Sequence, residues 1–170
     1  TDINIISGAP EIRRRYFDSV ISKIFPEYID ELNEFKSVLN SRNILLKKIR
    51  EGKADNRQLE VWNRLFAEKA YIILKRRESF IKEFSMFFKN SYSLIGSYSE
   101  LPEITYNSVN SASAEDFYKL IHGRIRDDLR RGSTGIGPQR DDYCFQNSDA
   151  VNFNNYASQG QKRTASISLK

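Results

Sequence analysis

Two stretches of this chain repeat apolar residues every three to four positions, over longer runs than an ordinary globular helix needs, and only five residues separate them. The first, over residues 27–51, runs through Tyr28, Leu32, Phe35, Leu39, Leu46 and Ile49, with Arg42 filling the one gap. The second, over residues 57–89, runs through Leu59, Trp62, Phe66, Ala70, Ile73, Arg77, Phe80, Phe84 and Phe87. A mean spacing near 3.5 favours helix packed lengthwise on helix. At about 1.5 Å per residue the first helix reaches roughly 37 Å. The connection Gly52-Lys53-Ala54-Asp55-Asn56 is too short for anything but a reversal, so the pair should run antiparallel as a hairpin. Asp55 with Gln58 reads as a capping box for the second helix. The same periodicity would also serve a plain two- or three-helix bundle.

Ahead of the hairpin, Ser7-Gly8 and Pro10 open a helix expected over 10–25, since a proline loses nothing in a first turn. Tyr16, Phe17, Val20, Ile21 and Ile24 form its apolar face, and Pro26 ends it. Beyond Asn90 the texture turns to serine and tyrosine (Ser91, Tyr92, Ser93, Ser97, Tyr98, Ser99). Glu103–Tyr106 then alternates as a short strand does. A helix is expected over 114–131, capped from Ser111–Ser113. The glycine-rich loop 131–142 follows, with strand candidates at 143–146 and 151–154 and a last helix opening at Ser158. The reading is α+β, mostly α: residues 1–90 as a helical arm, residues 91–170 as a second segment with short strands.

One cysteine and one histidine close off several chemistries. An intramolecular disulfide is impossible, and a lone thiol suits a reducing, cytoplasmic setting. A Cys/His zinc site needs more ligands than this. Cys144 reads as a small strand residue and His122 as a helix-flank residue. No apolar run approaches the roughly 20 residues of a membrane helix, and the opening Thr1-Asp2-Ile3-Asn4 is no signal peptide. The chain lacks an initiator Met and stops inside an apolar-periodic stretch, as an excised piece of a longer protein would. The formal charge of +5 lies entirely in the first half: residues 1–90 hold 18 Lys/Arg against 13 Asp/Glu, and residues 91–170 hold 9 of each. Such an excess permits phosphate contact, although most are solvated faces.

Four constellations could carry chemistry. Ser158-Gln159-Gly160-Gln161-Lys162-Arg163 is a polar turn entering a helix, where free backbone N–H groups and the positive dipole end suit an anion. Its plain alternative is an ordinary N-cap. In Gly137-Pro138-Gln139-Arg140-Asp141-Asp142, Arg140 either holds a phosphate or is neutralised by its acidic neighbours, the second being the default. Adjacent strand acids face opposite sides, so one ion shared by both is disfavoured. Arg13-Arg14-Arg15 cannot all face one groove, because helical neighbours are 100° apart. One should pair with an acid while one or two meet a phosphate. Lys47 and Lys48, with Arg50 and Lys53 near the hairpin tip, could touch a DNA backbone or merely offset a helix C-terminus. No Gly-x-x-x-x-Gly-Lys-Ser/Thr loop, catalytic triad or metal cluster is present, so the chain alone should catalyse nothing.

Taken together and in this order, several pieces resemble the RecF family of bacterial DNA replication and repair proteins, which are ABC-type ATPases. They are Ser7–Pro10 with Arg13–Asp18; Leu39–Lys47; Arg77–Ile81; Gly132–Thr134 with Gly137–Asp142; and Ser158–Thr164. The resemblance implies an antiparallel helical arm joined to part of an ABC-ATPase head, in a middle fragment of a weak ATPase whose P-loop and acidic strand lie elsewhere. Ser158, Gln159, Gly160, Gln161 and Lys162 would be the signature motif, engaging ATP (with Mg) held by a second copy. Arg140 would meet a phosphate or the head, and Arg13, Arg14, Arg15, Lys47 and Lys48 become DNA-contact candidates. The implied partners are double-stranded or gapped DNA, a second copy in an ATP-dependent homodimer, and recombination mediator proteins, in gap repair and the SOS response. Gln139 departs from the family's usual histidine, which leaves only a hydrogen-bonding role there. The rival reading is a non-catalytic helical scaffold that binds a protein partner.

Overall fold

The computed structural model describes residues 3–96 and 100–170. The expected polar turn at Ser97, Tyr98 and Ser99, like Thr1 and Asp2, lies outside them. Eight helices and two strands are assigned among the described residues: α1 Ile3–Ser7, α2 Pro10–Ile24, α3 Glu27–Arg50, α4 Leu59–Ile95, β1 Glu103–Asn107, α5 Ala114–Gly123, α6 Ile125–Arg131, β2 Asp142–Gln146, α7 Phe153–Tyr156 and α8 Gln159–Ser168. The fold is α+β and mostly α, as the periodicity implied. None of these helices is long and apolar enough to cross a membrane.

The chain packs as two compact units interleaved in sequence. One unit comprises Thr1–Ile24, Arg77–Asn107 and Asp141–Lys170; the other comprises Phe25–Arg76 and Ser108–Arg140. The 37-residue α4 contributes to both.

In the second unit, α3 and the first half of α4 form the expected antiparallel hairpin. Side chains meet at positions whose numbers fall on one helix as they rise on the other: Arg42 with Asn63, Glu34 with Lys69 and Glu31 with Arg76. Tyr28, Leu32, Phe35, Leu46, Phe66, Ala70 and Ile73 are buried along the seam. Asp55 caps the bend, but not as a capping box: its carboxylate accepts from the Arg57 amide and opens a short 3-10 turn, Asn56–Gln58. The helix expected over 114–131 breaks at Arg124 into α5 and α6, directly after Gly123. Ser113 caps α5 by accepting from the Asp116 amide. Gly132 ends α6 at φ 69°, a left-handed cap that suits glycine. Ile125 and Leu129 then pack α6 on Leu45, Leu46 and Leu59.

Arg42, the interruption in the seam, is fully buried. Its Nε donates to Asn63 Oδ1 at 2.8 Å, and its Nη1 donates to Asp128 Oδ2 at 2.9 Å and Thr134 Oγ1 at 2.6 Å. The second Asp128 oxygen accepts the Gly135 amide at 2.9 Å, and Asn43 Oδ1 accepts from both the amide and the hydroxyl of Thr134. One guanidinium therefore ties α3, α4, α6 and the glycine loop. Burial lowers the Arg42 pKa from its ordinary value, and the bonded Asp128 carboxylate opposes that shift.

In the first unit, β1 and β2 pair antiparallel from Glu103↔Gln146 to Asn107↔Asp142. Tyr143 lies 4.2 Å from Phe17 between ring centroids, and Phe145 lies 5.7 Å from Phe88. The strand expected at 151–154 is a single bridge, Gln146↔Asn152, after which Asn152 caps α7. Here α4 has changed face. Phe87 is 67% exposed, while Ile81, Phe88 and Tyr92 are buried in its place.

Removing one partner of a buried ion pair leaves the other charge stranded, at a cost of about 3–5 kcal/mol. Arg42→Leu should therefore lower the stability of the chain by that order in urea denaturation. The double variant Arg42→Leu/Asp128→Leu should lose less than either single change, the sign of direct coupling.

Candidate nucleotide-contact turn and its supports

The last helix opens on Ser158, whose backbone is extended (φ −65°, ψ 165°). Ser158 Oγ accepts the Gln161 amide at 3.2 Å, and Gln161 Oε1 accepts the Ser158 amide at 2.7 Å. This reciprocal capping box uses those two amides and leaves those of Gln159 and Gly160 outside it. Ser158, Gln159 and Gly160 are exposed, whereas Thr164, Ala165, Ser166, Ser168 and Leu169 are buried. The helix is thus anchored by its far end and presents its near end to solvent. A methyl group on Gly160 would come no closer than 3.8 Å to the rest of the chain, the nearest atom being Ser158 Oγ. Nothing in the chain's own packing requires glycine there. Lys162 Nζ reaches back to the Asn154 carbonyl at 3.2 Å, and Arg163 is exposed.

The segment leading to the turn is held by the start of the chain, an attachment the sequence did not suggest. Asn154 donates to the Ile6 carbonyl at 3.0 Å and accepts from Ser7 Oγ at 2.9 Å, which docks α7 on α1. The Tyr16 hydroxyl bonds the Leu169 carbonyl. The turn at Ser158 and the helix behind it therefore rest on Ser7 and Tyr16, two residues of the first stretch that carried the resemblance.

Arg13, Arg14 and Arg15 have three different fates. Arg13 is buried and bidentate to Asp142, at 2.7 Å to each oxygen, and also donates to the Gly8 carbonyl at 2.6 Å. Arg14 donates to the Asp141 carbonyl at 2.6 Å. Arg15 is exposed and pairs loosely with Glu11 at 3.3 Å. Beside them Arg77 forks onto Asp18 at 2.9 Å to each oxygen, and Tyr106 bonds the Asp141 carboxylate. Burial pushes the Asp141 carboxyl above its ordinary value against the pull of Tyr106, Arg77 and Arg14. The Tyr106 phenol is likewise raised, chiefly by burial.

Asp141 and Asp142 are thus taken by Tyr106 and Arg13, and they do not neutralise Arg140 as the default had it. Arg140 is exposed, and no ion pair of its side chain is found among the described residues. Gln139 donates to the Ile136 carbonyl at 2.8 Å and closes a turn in which Gly137 sits at φ 118° against Phe66 and Phe117. That is a structural hydrogen-bonding role, and it needs no ionisable ring. Lys47 and Lys48 are exposed at the end of α3. Cys144 is half-buried with its thiol raised by burial, the opposite of an activated nucleophile, and His122 is exposed beside Tyr118. No group of three or more metal-ligating side chains occurs among the described residues.

Comparison with models of known protein families gives no match. Individual relatives do match. The DNA replication and repair protein RecF of Prosthecochloris aestuarii is 34% identical over 178 residues, covering 99% of this chain and 48% of that protein. RecF of Staphylococcus haemolyticus is 34% identical with the same coverage, and RecF of Leptospira interrogans is 33% identical over 99% of the chain and 45% of that protein. Two solved structures of the recombination mediator protein RecF in the RecFOR pathway, one with ATP and one with ATPrS, superpose at TM-score 0.90. Their identities are 33% and 31%, each covering 99% of this chain and 47% of theirs. The chain belongs to the RecF family. It spans about half the length of the curated RecF relatives it matches. Of the stretches that carried the resemblance, those at 13–18, 77–81 and 137–142 supply the internal network above, whereas the one at 158–164 opens to solvent.

Ser158→Ala should lose about 1 kcal/mol of cap energy, read by denaturation, while Gly160→Ala should leave stability unchanged or slightly raised, since its methyl group meets open space and alanine is the better helix former. A carboxyl raised by burial makes the folded chain hold its proton more tightly than the unfolded chain does. Its contribution is present at pH below the ordinary value of 3.8 and is lost as pH rises through the higher folded value. Asp141→Asn should remove that downward slope from a pH series of urea midpoints.

Proposed function

We propose that this RecF-family chain works as part of an ATP-dependent DNA-binding protein, with residues 158–162 as a signature turn that contacts ATP held by a second copy. Residues 1–90 would supply the helical arm, and residues 91–170 part of the ATPase head. The observation that carries the reading is the turn itself: a hydroxyl, two uncommitted amides and a glycine with open space around it, all exposed at a helix N-terminus. Such an end carries about half a positive charge and favours an anion. A terminal phosphate is an anion of the right size for three donors within one turn, and a glycine lets it approach the backbone closely. RecF structures solved with ATP and an ATP analogue make the nucleotide the natural ligand for the family.

This chain has the donors but no phosphate-cradling lysine loop in its sequence and, among the described residues, no carboxylate cluster for magnesium. The residues fit the far side of a nucleotide, and the remainder of the site, with its magnesium, belongs to other parts of the protein and to the partner copy. Arg163 and the Lys162 ammonium stand near the helix end and reinforce its charge. ATP would thereby join two copies, and the joined pair would hold double-stranded or gapped DNA, with Arg14 and Arg15 as contacts. Arg13 is consumed by Asp142 and is not among those contacts. Recombination mediator proteins are the expected partners, in a cytoplasmic gap-repair role that also supports the SOS response.

In the complete protein, Ser158→Arg should abolish ATP-driven dimerisation in sedimentation velocity while the monomer keeps its circular dichroism. The scaffold alternative forecasts indifference to that change. Arg14→Gln/Arg15→Glu should weaken duplex binding and flatten its dependence on salt; an equal slope would make both arginines structural.

A further inference from the structure

Far from residue 158 in sequence, the bend of the hairpin brings together two basic segments. The stretches 47–57 and 124–131 hold nine exposed cations and three exposed acids. That surplus of six exceeds the +5 of the whole chain, so the remainder of the molecule is close to neutral. All three acids already have partners: Glu51 with Lys53 at 2.7 Å, Asp55 with Arg57 at 2.7 Å and Asp127 with Arg130 at 3.2 Å. The one buried acid of these stretches, Asp128, is taken by Arg42. Lys47, Lys48, Arg50, Arg126 and Arg131 have no carboxylate partner among the described residues.

The two stretches are one surface. Ile125 and Leu129 pack α6 on the leucines of the bend. Arg50 Nη1 donates to the Arg131 carbonyl at 3.1 Å. A methyl group on Gly132 would sit 2.8 Å from Arg50 Nη1 and 3.3 Å from Lys47 Cγ, so glycine is what lets the α6 terminus lie against those side chains. Compensation of helix dipoles accounts for only a small part of the charge. Two C-termini end here, and together they offer about one negative charge.

We propose that this surface, Lys47, Lys48 and Arg50 on α3 with Arg126 and Arg131 on α6, is a binding site for the sugar-phosphate backbone of duplex DNA, separate from the nucleotide-contact turn. The proposal rests on the DNA-binding part of the function proposed above, takes up Lys47 and Lys48, and adds the α6 half that sequence distance hid. Duplex DNA matches in chemistry because it carries about one negative charge per 1.7 Å of axis and binds surplus cations by counterion release. An array of Lys and Arg without carboxylate partners positions a backbone and reads no base. An acidic protein is the competing occupant, and the repair role named for the relatives favours the nucleic acid.

The test uses this 170-residue chain, a fluorescently labelled 20-base-pair duplex and anisotropy at several salt concentrations, without nucleotide. The variant Lys47→Gln/Lys48→Gln/Arg131→Gln should bind more weakly, with the slope of log K against log salt shallower by about 2–3, near 0.9 for each lost phosphate contact. A charge-matched control on exposed lysines elsewhere, Lys23→Gln/Lys36→Gln/Lys82→Gln, should keep the wild-type slope. Lys47→Arg/Lys48→Arg/Arg131→Lys should also keep it. Equal flattening in patch and control variants would overturn the site, since only net charge would then matter. An unchanged slope in the patch variant, or a chain that ignores DNA but is captured by polyglutamate, would overturn it as well. Loss of ATP-driven dimerisation is read by sedimentation of the complete protein, and loss of this site by nucleotide-free anisotropy of the patch variant, so the two failures are read separately.

Discussion

The buried guanidinium of Arg42 is the constraint on which the second unit depends. A charge with no exposed surface is tolerated only when carboxylate and hydrogen-bond acceptors surround it, and here those acceptors come from three other places in the chain. Asn63 fixes the facing helix, Asp128 fixes α6, and Thr134 fixes the loop that leaves α6. Leucine at residue 42 would fill the seam but would specify none of these partners. The pair also determines which charges remain available outside, because the one acid of α6 that points inward can no longer quench the arginines that point outward.

The first unit repeats the device. Arg13 and Arg77 are each largely buried and each bidentate to a carboxylate, Asp142 and Asp18. Through them α2 is clamped to β2 at one point and to α4 at another, while Tyr16 and Ser7 carry the same helical start over to the segment around residue 158. Motif residues distant in sequence are therefore one assembly. Arg13, Asp18, Arg77, Asp141 and Asp142 hold the first unit together, and the exposed turn at Ser158 is what that assembly supports.

Much of this was legible before any coordinates. The hairpin follows from spacing alone, because an apolar stripe at 3.5 residues has one stable solution when five residues separate two copies of it. The N-cap at Ser158 was legible as a serine-led polar turn at the mouth of an apolar run, whereas the reciprocal bond from Gln161 emerged only in the fold. The break at Arg124 was not legible, since the apolar face continues across it and only Gly123 hints at a kink. Nor was the change of face along α4: Phe87 keeps the seam's spacing yet is exposed, because past Arg77 the helix packs on Phe17 of α2 and Phe145 of β2, with Ile81, Phe88 and Tyr92 buried. The strand expected near Val151 failed because Asn152 can cap a helix as readily as end a ladder. Arg42 was visible as an interruption, but its partners lie 21, 86 and 92 residues away, beyond the reach of periodicity.

The arginines of this chain divide by burial, and burial separates architecture from recognition. A guanidinium inside the fold is committed because desolvation leaves it no choice but a carboxylate, and Arg13, Arg42 and Arg77 each have one. A cation outside the fold gains at most a fraction of a kcal/mol from a neighbouring acid, an association that salt or a stronger polyanion readily displaces. The net charge of +5 is therefore not spread over the molecule as an average. Buried pairs cancel, surface pairs nearly cancel, and the remainder gathers where α3 and α6 end side by side. Sequence composition could report the sum, but only the fold decides that the sum occupies one face.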